Sequence, residues 1–139
     1  MSAGRLWRKQ VLRVGDIDYR GRTLSFTGQY LTDLADAFGA GAVDLVPFLI
    51  SDTHTNDPAC YSGHVRQMEV VGDGLEAVIE VSAAADGTLR SDPQLDSAPR
   101  IIESYCRADG TEFSAVIQQI LATRQSILTG LQPWEPVSG

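Results

Sequence analysis

Between Leu75 and Val81, apolar and polar positions alternate, with Leu75, Ala77, Ile79 and Val81 interleaved by Glu76, Val78 and Glu80. A period of two puts one set on one face of a pleated strand, which predicts a strand with a buried side. Val65 to Val71 has a similar character, and Gly72-Asp73-Gly74 between the two runs supplies the turn chemistry of a β-hairpin. A different period holds earlier. Tyr30, Leu31, Leu34, Ala35 and Phe38 recur at helical spacing, with Thr27 placed to cap the first turn and Gly39 to stop the helix in a left-handed conformation. This predicts a helix over Thr27 to Phe38 that covers one side of a sheet.

The remaining segments are shorter. Leu6 to Val14 reads as a strand broken by Gly15-Asp16, and Tyr19 to Phe26 as a second short strand folded through a glycine turn. Val43 to Ile50 is mostly apolar, and Pro47, which cannot donate to a ladder, implies an edge or a bulge. Ser82 to Pro99 is rich in turn formers and is either a long loop or a loop enclosing a short helix. Arg100 to Cys106 and Phe113 to Leu121 flank the turn Ala108-Asp109-Gly110-Thr111 as a second hairpin. Pro133 and Pro136 then extend a tail that Trp134 can pin to the body. About seven short strands and one clear helix predict a mainly β, α+β domain spanning residues 1–139. The expected form is a closed or nearly closed antiparallel barrel with peripheral helices.

Composition narrows the partners. A chain of 139 residues fits one domain with a substantial core. Its formal net charge is −7 and Lys9 is the only lysine. Such a surface repels phosphate backbones and anionic lipid, which disfavours direct binding of nucleic acid or membrane. No apolar run is long enough to span a bilayer, and residues 1–5 lack the apolar core of a secretion signal, so the chain is expected to be cytoplasmic or intracellularly assembled.

Candidate chemistry starts at His54, in the polar stretch Ser51 to Pro58. An imidazole serves as a general base only with a nucleophile in hydrogen-bond reach and a third group to fix its tautomer. Asp52, His54, Asp57, Cys60 and His64 lie close in sequence, but their irregular spacing matches no metal-binding pattern, and no metal or other cofactor is expected. Cys60 and Cys106 fit no zinc ribbon, and nothing local favours a thiolate. Ser97, just ahead of a strand, is a nucleophile that His54 could activate, although no Gly-x-Ser-x-Gly elbow surrounds it. On periodicity and composition, the leading interpretation is that all of these are ordinary surface residues.

Taken together, several segments give the chain a likeness to a known family. They are Trp7 to Gly15, Phe26 to Phe38, Val46-Pro47-Phe48, His54-Thr55 with Asp57-Pro58, and Gly63 with Val65. Asp73-Gly74-Leu75, Arg100-Ile101-Ile102-Glu103, Arg107-Ala108-Asp109-Gly110 and Gly130 through Trp134-Glu135 complete the set. In order and spacing they resemble the capsid maturation (prohead) proteases of tailed bacteriophages. The resemblance implies a fold like the herpesvirus assemblin proteases, an antiparallel β-barrel wrapped by helices with a serine nucleophile and two histidines.

In that register His54 takes the place of the first catalytic histidine. The nucleophilic serine, two residues before the arginine matching Arg100, falls at Ala98, and the second histidine falls at Gln119. Gln125-Ser126 stands where the family carries aspartate-proline. The resemblance with these departures implies a pseudo-protease, a capsid-associated structural protein with an assembly, scaffold or decoration role. It would bind the major capsid protein or other phage head proteins, first in the host cytoplasm and then in the virion capsid, and a homodimer is among the states it allows. The alternative it implies is an active serine endopeptidase using His54 and Ser97 to process head proteins during procapsid maturation.

Overall fold

The computed structural model describes residues 5–19, 21–126, 128 and 130–137. The chain runs β1 (Arg5–Arg13), β2 (Gly15–Tyr19), β3 (Arg22–Phe26), α1 (Gly28–Gly39), β4 (Pro47–Ile50), a 3-10 turn (Pro58–Cys60), β5 (Gly63–Val71), β6 (Gly74–Val81), α2 (Ala83–Ser91), β7 (Asp96–Cys106), β8 (Glu112–Thr123) and β9 (Glu135–Pro136). The fold is mainly β. Nine strands form among the described residues, against about seven expected, because the glycine-turned segment Tyr19 to Phe26 belongs to a separate two-stranded hairpin, β2–β3, and the tail adds the two-residue β9.

The other seven strands make one sheet in the order β7-β8-β4-β5-β6-β1-β9. Its pairs are antiparallel except β4 with β8, which run parallel with Leu49 opposite Leu121. The expected closed barrel is not formed: the sheet ends at β7 and β9, with no ladder between them among the described residues. The tail has little to pair with, since Pro133 and Pro136 carry no N–H and β9 meets β1 over two residues only. The two ends still approach each other, the Trp134 N–H donating to the Pro93 carbonyl at 3.0 Å.

Local chemistry explains the elements. In β6, Leu75, Ala77, Ile79 and Val81 are all buried, as the alternation predicts, and Gly72 turns the β5–β6 hairpin at φ +61°. In β1 a bulge between Gln10 and Leu12 breaks the alternation, so Lys9, Gln10, Val11 and Leu12 are buried in succession. The Thr27 hydroxyl accepts the Tyr30 N–H to start α1, which buries Leu31, Leu34 and Ala37. The left-handed stop is Gly41, at φ +71°, and not Gly39, which stays helical. Gly41 and Ala42 donate to the carbonyls of Phe38 and Ala37, a Schellman closure that comes two residues later than the apolar periodicity shows.

Residues 83–91 form the short helix that was one of two alternatives for that segment. Ser82 caps it, Ala85 and Leu89 face the core, and Asp86 accepts the Trp7 indole N–H at 2.9 Å. Trp134 is buried, stacks at a tilt on Phe48 with ring centroids 5.3 Å apart, and donates its indole N–H to the Leu95 carbonyl at 3.0 Å. Lys9 is 2% exposed and spends its ammonium on the carbonyls of Gln10 at 3.1 Å and Gln132 at 2.7 Å, which fastens the same tail. Burial lowers its pKa to about 8, with Asp96 opposing the shift. No helix among the described residues is long and apolar enough to cross a membrane.

Candidate active site

The buried stretch of β8 from Ala115 to Ala122 is apolar but for its two amides, and of these Gln119 is the fully buried one. Gln119 is 1% exposed in a strand otherwise lined by Ile117, Ile120 and Leu121, and a buried amide requires partners. It finds them in the His54 loop. Its Nε2 donates to the Thr55 carbonyl at 2.6 Å, and its Oε1 accepts the Thr55 N–H at 3.2 Å. Those two backbone groups fix which end of the amide is oxygen. Oε1 also meets His54 Nδ1 at 2.8 Å, and since Oε1 can only accept, Nδ1 carries the proton. The neutral imidazole is therefore held as the tautomer with its lone pair on Nε2, the form a general base requires.

The protonation state follows from the surroundings. Burial of the ring holds the His54 pKa below the ordinary histidine value and the nearby Arg100 guanidinium acts in the same direction, while the Gln119 bond opposes both. His54 is consequently neutral at pH 7. Gln119 thus orients the imidazole without any capacity to titrate.

His54 borders a cavity of about 680 Å³ whose other walls include Phe26, Tyr30, Ala98, Arg100 and Leu128. Strand register decides what faces it. Arg100 stands opposite Gln119 and Ala98 opposite Leu121, so Ala98 shares the face of β7 that Gln119 occupies on β8. Ala98 offers the cavity only a methyl group. Ser97 stands opposite Ala122 on the other face. Its Oγ is fully buried and has no hydrogen-bond partner, so it makes no bond to His54. An alcohol in that position is neither activated nor reachable by substrate.

Two other hydroxyls bordering the cavity, those of Thr123 and Ser126, are already engaged. Thr123 donates to Asp52 Oδ1 at 2.7 Å and accepts the Gln125 N–H at 3.0 Å. Ser126 donates to the Ser97 carbonyl at 2.7 Å and accepts the Leu128 N–H at 2.9 Å. These bonds brace the strand ends.

The other sequence candidates disperse. Asp57 accepts the Ala59 N–H at 3.0 Å and caps the 3-10 turn, Cys60 and Cys106 are exposed, and His64 lies in β5 opposite Pro47 and Glu80. Among the described residues no three His, Cys, Asp or Glu side chains converge as metal ligands. Sequence reasoning singled out Gln119 only as a lost histidine and missed its bonding to residues 54 and 55. The available signal was an amide inside an apolar strand run. It also missed Thr123 with Asp52. When the chain is compared with protein-family models, curated proteins and solved structures, nothing matches.

Proposed function

We propose that this chain is a binding protein built on a protease-like framework, one that keeps an oriented base beside a cavity and lacks the nucleophile that would use it. The single observation that carries the proposal is Ala98. It occupies the face shared with Gln119, which holds His54, while the only adjacent alcohol is buried on the opposite face. Without the nucleophile, an oriented histidine retains only a small part of triad catalysis.

The sequence resemblance to prohead proteases of tailed phages supplies the partner class. In this reading the protein associates with the major capsid protein or other head proteins during assembly in the host cytoplasm and remains with the virion capsid. The acidic surface favours protein over nucleic acid as the partner. An assemblin-like framework belongs to the same proposal, as an open sheet in place of the closed barrel, supported by the mainly β composition and by the approach of the two sheet ends through Trp134 and Pro93.

The test is incubation with procapsid shells and with a serine-reactive fluorophosphonate probe. Co-sedimentation with shells, no cleavage of head proteins and no labelling are expected. Labelling that disappears in Ser97→Ala and persists in Ala98→Gly would show an active serine and defeat the proposal.

A further inference from the structure

The walls of the His54 cavity are not held alike. One is the face of β7 and β8 that carries Ala98, Arg100, Leu121 and Thr123. The His54 loop is tied to that face by the Gln119 bonds to Thr55 and by the Thr123 bond to Asp52. α1 is fastened beyond its end, where the Arg107 guanidinium donates to the Gly41 carbonyl at 2.6 Å. The β2–β3 hairpin supplies a further wall through Ile17, Leu24 and Phe26. Its two strands pair only with each other, and among the described residues no hydrogen bond or ion pair links that ladder to the rest of the molecule.

What holds the hairpin down is apolar contact. Ile17 stands opposite Leu24, and both are half-buried against the cavity, while the alternate pairs Asp16–Ser25 and Asp18–Thr23 are exposed. Phe26, the last residue of β3, stacks on Tyr30 with ring centroids 5.7 Å apart. A lone two-stranded hairpin is only marginally stable in water, so this one depends on a few side chains to stay shut. Its two ends are fixed. Before it, the Val14 N–H donates to the Asp73 carbonyl at 2.8 Å, and after it Thr27 caps α1. Next to the first anchor stands Gly15 at φ +146°, where an L side chain is strained, and nothing beyond its chain neighbours lies within 4 Å of the place its Cβ would take. Glycine serves there for its backbone and not for space, as a pivot does.

We infer that the β2–β3 hairpin is a flap hinged at Gly15, which shuts the His54 cavity with Ile17 and Leu24 and lifts to admit an occupant. Lifting it gives up little more than the contacts of those side chains, whereas moving the sheet face, the His54 loop or α1 breaks the bonds that hold them. This rests on the proposed function only in treating the cavity as the binding site. Failure to bind procapsid shells would leave the flap standing, and a rigid hairpin would leave shell binding untouched.

Two measurements on the full chain test it. In wild-type protein, amides paired in the β2–β3 ladder should exchange with deuterium about a hundred-fold faster than those of β6, at a rate that low urea leaves unchanged, the mark of local opening. Carbethoxylation by diethyl pyrocarbonate, read residue by residue in the mass spectrometer, reports access to His54, with His64 as the internal reference. Ile17→Asn together with Leu24→Asn should raise the His54 rate about ten-fold and leave His64 alone. Gly15→Ala, at a position outside the cavity wall, should raise it about as much, because the shut flap then holds an L residue at a strained φ. Both variants are first shown by circular dichroism and thermal melting to be folded. Hairpin amides that exchange as slowly as those of β6, or that accelerate with urea in step with them, overturn the inference. So does a His54 rate that is unchanged in either folded variant, or a rise that His64 shares. If neither variant folds, the wild-type exchange result decides alone.

Discussion

Single residues here hold more than their types suggest. Gln119 joins β8 to the His54 loop through three hydrogen bonds, two of them to the backbone of Thr55. Gln119→Leu should destabilise the protein by about 2 kcal/mol, since it strands partly buried polar groups, and should free the imidazole. Thermal melting reads the first effect, and the His54 ring resonances read the second by losing their single-tautomer signature. Ser97 predicts the opposite sign. Its Oγ is buried and unpartnered, so Ser97→Ala should leave stability unchanged or raise it by up to about 1 kcal/mol, measured by urea denaturation. Lys9 sets a pH dependence. Its folded pKa of about 8 lies below the ordinary 10.5, so between those values the unfolded chain binds a proton that the folded chain does not, and stability rises with pH across that window. Wild type should gain on Lys9→Met as pH increases from about 8 to about 10.5, and a flat difference in melting temperature would contradict this assignment.

At the scale of elements, close approach matters more than propensity. A Cβ on Gly63 would lie 2.1 Å from the Glu80 carbonyl oxygen and 2.9 Å from Val81 Cα, both backbone atoms of the neighbouring strand. Gly63→Ala should therefore force β5 away from β6 and cost about 3 kcal/mol, in the upper range for overpacking. Gly74→Ala meets the end of the Gln10 side chain instead, which can turn aside, so it should cost less. Denaturant titration of the pair tests the order.

The same scale explains what could be read from sequence. The β5–β6 hairpin and α1 were legible because alternation, a glycine turn and a threonine cap are local signals. The parallel pairing of β4 with β8 was not, since it joins residues about seventy positions apart with no local mark. Nor was the true end of α1, where an apolar pattern ends before the backbone does. At the site, the alternation that separates Ala98 from Ser97 followed from strand parity, while the bonds of Gln119 to His54 and Thr55 required the fold.

For the molecule as a whole, the tail is part of the body. Trp134 sits against Phe48, donates to Leu95, and its backbone reaches Pro93 beside the opposite end of the sheet. Trp134→Ala should cost about 3–5 kcal/mol, as for other buried tryptophans, and unfolding should remain a single transition by both fluorescence and circular dichroism. Two separated transitions would show that the tail is an independent unit.

Lys9 gives this closure a chemical handle. The sequence offers one ε-amine, and the fold buries it under the tail between the carbonyls of Gln10 and Gln132. Amine-directed cross-linkers and succinimide dyes will therefore find no side-chain target on the closed protein. Acylation at Lys9 becomes a clock for the tail lifting away, and the rate at which that one adduct accumulates measures how often the molecule opens.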